Sequence, residues 1–187
     1  GLPLYQTDQA RVCPWDVETL SKMGIGLIRL TPDPALDLLA YATQWIRLQG
    51  DMEFTPEQIL QNKPESIWKV FDTEIVRGIP HLDYPGLRRE LAAQKPKSLN
   101  QIVKILEAWQ KVMDHDSQSP SLIEDILTSV LILGIKIHYP LVYFASALSA
   151  YRLDKPKFQQ LLNEVIQREI PVQPIDINCS APTWSPE

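Results

Sequence analysis

The sequence predicts an all-α protein: a single helical domain of about seven to nine helices with proline-rich terminal segments. Apolar residues recur at helical spacing along most of the chain, and capping residues precede these periodic stretches. Proline (16 residues) outnumbers glycine (7 residues), which favours sharp boundaries between short elements. We therefore predict an N-terminal arm over residues 1–14, the helical domain over 15–169 and a proline-rich tail over 170–187.

The first half of the domain contains the start and stop signals of four helices. Each begins at a capping residue or at a proline that suits the first helical turn. A glycine, or a lysine-proline pair, ends most of them. The start signals are Asp33-Pro34, Thr55 with Gln58, Lys63-Pro64 and Pro85, and the predicted ends are Gln49-Gly50, Gly78 and Ala93.

Four more helices are predicted in the second half. The stretch over residues 141–151 has almost no polar face, which is typical of a buried helix, so we expect the core to form around it and around residues 122–133. Gly134 is predicted to end the earlier of these two helices. The start signals are the capping boxes Ser98 with Gln101 and Ser121 with Glu124, then Pro140 and Asp154.

Strand and membrane signals are weak. Residues 27–30 and 172–177 are the two extended stretches, and they can pair as a minor β-ribbon. The most apolar region, 126–151, is interrupted by Lys136 and His138 and contains no uncharged run of the roughly 18 residues that a transmembrane helix needs. Without a signal-peptide pattern, the chain is predicted to be cytoplasmic.

The charge is unevenly distributed. The net charge is −5, which argues against a dedicated nucleic-acid binder, yet residues 86–113 hold six basic and two acidic residues, a balance of +4 that leaves −9 for the rest. On the helix that begins near Ser98, Lys104 and Lys111 lie within about 20° of each other, because seven residues make nearly two turns. Leu106 lies about 200° from Lys104, so the lysines face outward if Leu106 faces the core.

These charges and one aromatic residue form the predicted partner-binding surface. Trp184 lies in the tail, where it either folds back onto the domain or meets a partner. The predicted set is Arg88, Arg89, Lys97, Lys104, Lys111 and Trp184.

Two enzymatic or ligand-binding alternatives remain open. The ordered series His81, His115-Asp116 and Asp154 resembles the ligand set of HD-type phosphohydrolases, in which a divalent metal activates water. His138, between the two most apolar helices, is the candidate residue of a pocket for a small apolar ligand or haem. The two cysteines lack metal-ligand spacing, and no cofactor is predicted.

The function predicted from these observations is non-enzymatic. We expect a helical protein–protein interaction module, such as an adaptor, a regulator or a subunit of a larger assembly, whose partner is another protein with an acidic surface. The metal-dependent phosphohydrolase and the ligand-binding pocket are the alternatives.

Overall fold

The computed structural model describes residues 4–26, 32–62, 64–72, 74–112, 122–174, 176, 180 and 183–186. The chain divides into two compact units, Gly1–Pro32 and Asp33–Glu187. Helices dominate the described residues, and strands form a single two-stranded sheet there, which confirms the predicted fold class. The predicted boundaries after residues 14 and 169 depend on proline content and stay predictions.

The β-ribbon lies in the first unit. Strands β1 (Tyr5–Gln6) and β2 (Arg11–Val12) pair antiparallel. The Thr7 N–H and hydroxyl both donate to the Ala10 carbonyl, at 2.8 and 2.7 Å, and so close the turn between the strands. The described residues of 172–177 form no strand, and the other half of the predicted ribbon, 27–30, lies outside the described residues.

The first unit also contains a helix that was not predicted, α1 (Val17–Lys22). Asp16 caps it by accepting a hydrogen bond from the Thr19 N–H at 2.7 Å. Hydrogen bonds from Thr19 lower the pKa of the Asp16 carboxyl.

The second unit holds the remaining helices of the described chain. They follow the predicted capping signals closely, because these signals act on backbone N–H groups within one turn. Their bounds are α2 (Pro34–Leu48), α3 (Glu57–Asn62), α4 (Pro64–Trp68), α5 (Pro85–Gln94), α6 (Leu99–Val112), α7 (Leu122–His138), α8 (Pro140–Ala150) and α9 (Lys155–Gln167).

Helices α7 and α8 form the centre of this unit. Every residue from Val142 to Ser149 in α8 is buried. Helices α2 and α9 pack on α8, whereas α2, α3, α4 and α6 pack on α7, and α5 packs on α6. The core therefore lies where the two most apolar stretches of the sequence predicted it.

Two element boundaries differ from the prediction. Helix α7 continues through Gly134 to His138, because Gly134 serves close packing: a Cβ atom there would lie 2.5 Å from Ile59 Cγ2. After Trp68 the predicted helix becomes two 3-10 segments, Lys69–Asp72 and Glu74–Val76. In the described part of the chain, no helix is both long and apolar enough to cross a membrane.

Candidate protein-interaction surface

The start of α6 is held by side-chain hydrogen bonds. The Gln101 amide oxygen accepts the Lys97 N–H at 2.6 Å, and the Ser98 hydroxyl accepts the Gln101 N–H at 3.4 Å. These bonds satisfy donors that the first helical turn leaves unpaired. They also fix where Lys97 stands relative to the helix.

Two lysines lie on the outer face of α6, and a third lies two residues before the helix begins. Lys97, Lys104 and Lys111 are exposed, whereas Ile102 and Leu106 on the opposite face are buried. Adjacent lysines are seven residues apart, so within the helix Lys104 and Lys111 are separated by about 10.5 Å along the axis. We call Lys97, Lys104 and Lys111 the lysine line.

The described residues supply no counterion to the lysine line. None of its three ammonium groups forms an ion pair with a residue that the structure describes.

The two arginines of α5 point in different directions, as residues one apart on a helix do. Arg89 is exposed. The Arg88 side chain is only 24% exposed, and its Nε lies 3.5 Å from Asp83 Oδ1. Arg88 thus belongs to an internal contact, and the structure does not bring it to the outer surface with the lysines.

Asp83 is the centre of that internal contact. Its Oδ2 accepts hydrogen bonds from the Gly78 N–H at 2.8 Å and from the Gln160 amide at 3.0 Å. Lys157 Nζ lies 3.6 Å from the same oxygen. The carboxylate therefore ties α5 and α9 to the segment that ends at Gly78.

Trp184 packs against the helical unit. Its ring lies 6.3 Å, centroid to centroid, from Phe158, and its backbone N–H donates to the Ser149 hydroxyl at 3.0 Å. The tail around Trp184 thus folds back onto α8 and α9, and its half-buried ring has a packing partner within the chain.

The residues of the phosphohydrolase alternative do not meet within the described part of the chain. His81 is exposed with a φ of 57°, and Asp154 caps α9 by accepting the Lys157 N–H at 3.1 Å. His115 and Asp116 lie outside the described residues. Among the residues that are described, no group of three or more His, Cys, Asp or Glu side chains has the arrangement of a metal site.

His138 ends α7 and contacts α4. The Ser66 hydroxyl and His138 Nε2 share a hydrogen bond of 2.9 Å. Nε2 is therefore engaged within the fold, which is not the arrangement of an iron-ligating nitrogen facing an open pocket.

A buried ion pair escaped the sequence analysis. The Lys136 ammonium, fully buried, lies 2.8 Å from Glu164 Oε1 and donates to the Arg77 carbonyl at 2.6 Å. Burial lowers the pKa of Lys136, and the Glu164 charge opposes that shift. A lone lysine inside an apolar helix was the available signal, because a buried charge requires a partner.

Gly78 completes this buried cluster. Its φ of 82° favours glycine, and a Cβ atom there would lie 3.3 Å from the Tyr143 hydroxyl and 3.7 Å from Glu164 Oε2. Burial raises the pKa of Tyr143 well above its usual value. The cluster joins α7, α8 and α9 in the interior.

Comparisons of the chain with family models, with curated proteins and with solved structures give no match.

Proposed function

We propose that this chain is a helical protein–protein interaction module with no enzymatic activity of its own, acting as an adaptor, a regulator or a subunit of a larger assembly. The lysine line on α6 carries this proposal. Exposed charges that are already neutralised by neighbours contribute little to recognition, whereas unsatisfied charges on a fixed backbone give complementarity and faster association.

The proposed partner is a protein with an acidic surface. The chain is acidic overall, with a net charge of −5, and repels polyanions at long range, so nucleic acid is not the proposed ligand. A protein surface with locally clustered carboxylates needs only short-range contact with the lysine line, at distances within the Debye length of about 8 Å. Arg89 adds a further exposed positive charge on the neighbouring helix α5. We propose the cytoplasm as the compartment, as the sequence predicts.

Carbodiimide crosslinking tests the proposal directly, because it joins a lysine amine to a carboxylate in contact with it. We expect crosslinked peptides that connect Lys104 or Lys111 to Asp or Glu of another protein. We also expect capture to fall steeply when salt rises from about 50 to about 500 mM, since screening weakens exposed ion pairs.

A matched pair of variants supplies the control. Lys104→Glu/Lys111→Glu should abolish the crosslinks and leave the thermal melting unchanged, since both side chains are exposed. Lys69→Glu/Lys155→Glu makes the same change in net charge at exposed positions on other helices and should retain them. Equal capture by the wild type and the Lys104→Glu/Lys111→Glu variant at low salt would contradict the proposal.

A further inference from the structure

The outer face of α2 has exposed leucines at its two ends and polar side chains between them, and α2 packs on α7 and α8 with its other side. Leu36 and Leu48 are 55% and 65% exposed, and Met52, just beyond the helix, is 76% exposed. An open groove of about 540 Å³ runs along this face from Leu39 to Leu48 and reaches Met52. Exposed large apolar side chains beside an open groove are a feature of interaction sites.

The groove has fixed walls. The inner side of α2 is anchored in the core through Leu38, Ala42 and other buried residues. The Arg47 Nε donates to the Phe54 carbonyl at 2.9 Å, and Phe54 is itself buried beside Tyr139. The loop that carries Met52 is thereby held against the end of α2.

Charges on this face are arranged symmetrically about its centre. Asp37 and Arg47 are exposed, and neither forms an ion pair with a described residue. Along the helix axis, Asp37 lies five residues before Ala42 and Arg47 lies five residues after it. Leu36 and Leu48 are each six residues from Ala42. All four side chains project within about 80° of the direction of Ala40 around the helix.

We propose that α2 pairs antiparallel with α2 of a second copy of this chain, about a two-fold axis at the level of residue 42. In that arrangement Asp37 of each copy lies level with Arg47 of the other, and Leu36 lies level with Leu48. The small side chains of Ala40 and Thr43 lie near the crossing and allow the helices to approach. A two-fold interface requires such self-complementarity of one patch.

The charge pattern selects the second copy over an unrelated helix. A helix with only an apolar face would leave Asp37 and Arg47 within the interface without opposite charges across it, whereas a second copy supplies an opposite charge for each. A 15-residue helix is about 22 Å long, which is short for a standard interface of about 800 Å² per partner. The dimer is therefore reversible and concentration-dependent.

Analytical ultracentrifugation of the full chain over a wide concentration range tests the pairing. The wild type should show a monomer–dimer equilibrium. Leu48→Glu should raise the dissociation constant about tenfold or more by placing an unpaired charge in the interface. Asp37→Arg should do the same through repulsion of Arg47 in the other copy.

Leu153→Glu is the matched control, because Leu153 is 87% exposed and lies outside α2. It should leave the dissociation constant unchanged. A wild type that stays monomeric, or a dimer that neither α2 variant weakens, would overturn the proposal, and circular dichroism shows that each variant is folded.

A short bis-maleimide crosslinker tests the antiparallel direction in a background lacking the native cysteines. A mixture of Leu36→Cys and Leu48→Cys proteins should crosslink efficiently, whereas each variant alone should not, since equivalent residues are about 18 Å apart along the antiparallel pair. Efficient crosslinking of Leu36→Cys with itself would indicate a parallel pair and refute the assigned geometry. This pairing is independent of the lysine line, so either proposal can fail without the other.

Discussion

At the scale of single residues, the buried ammonium of Lys136 has the clearest energetic consequence. Its partners are Glu164 Oε1 and the Arg77 carbonyl, and removal of the ammonium leaves that carbonyl without this donor. Arg168 still lies 2.9 Å from Glu164 Oε1 and compensates part of the carboxylate charge. Breaking a buried pair costs about 3–5 kcal/mol, and the remaining arginine places the expected loss near the lower end.

We therefore predict that Lys136→Met lowers the free energy of unfolding by about 3 kcal/mol. Urea denaturation measures this loss through the transition midpoint. Lys104→Met, an exposed lysine within another helix, is the control and should change the free energy by less than about 0.5 kcal/mol. Similar losses for the two variants would show that the buried pair contributes no special stability.

The basic residues of α5 and α6 show which side-chain environments a sequence pattern can predict. The helical period correctly predicted that Lys104 and Lys111 face solvent and Leu106 the core. It could not predict that Arg88 forms an ion pair with Asp83, because that contact depends on where the segment after Gly78 places the carboxylate. The exposure of a side chain follows from helical periodicity alone, whereas its ion pairing depends on where the fold places the partner residue.

At the scale of elements, Gly134 decides how closely α3 approaches α7. Alanine is favoured over glycine within a helix by about 1 kcal/mol, which alone predicts stabilisation. The added methyl group would meet Ile59 Cγ2 at 2.5 Å and Ile67 Cδ1 at 3.3 Å. Overpacking of a core costs about 1–3 kcal/mol, so the steric effect outweighs the helix propensity.

We predict that Gly134→Ala destabilises the protein by about 1 kcal/mol or more. In an Ile59→Ala background the same change should be neutral or stabilising, because the colliding atom is gone. A double-mutant cycle by urea denaturation gives the coupling between the two sites. Additive effects would contradict the close packing of α3 on α7.

At the scale of the whole molecule, the described end of the tail contacts several helices of the second unit. Residues 183–186 return to the helices: Trp184 packs on Phe158 and bonds Ser149, and the Gln49 amide lies 3.5 Å from the Pro186 carbonyl. The end of the chain therefore stabilises α8, α9 and the end of α2 together.

We predict that Trp184→Ala lowers the free energy of unfolding by about 2 kcal/mol, less than the 3–5 kcal/mol typical of a fully buried aromatic residue. Deletion of residues 170–187 should cost at least as much. Val172→Ala, at an exposed position in the same tail, should have little effect. Thermal melting measures all three, and unaltered melting of the Trp184 variant would assign that ring to a partner instead.

The sequence by itself determined the helical class, most helix starts and the outward direction of Lys104 and Lys111. These features depend on hydrogen bonds and side-chain periodicity within one or two helical turns. Thr55 and Gln58 show this, since the Gln58 amide oxygen accepts the Thr55 N–H at 3.2 Å, as the spacing predicted.

Tertiary structure alone decided the continuation of α7 past Gly134, the partner of Lys136 and the exposure of one face of α2. Local signals predict that Gly134 ends α7. The helix instead continues through this glycine, because the side chain of Ile59 in α3 occupies the space that a Cβ atom would need. Likewise, Leu36 and Leu48 are as apolar as the core leucines and differ only in which helices pack around α2. Such choices depend on residues distant in sequence, which no local pattern encodes.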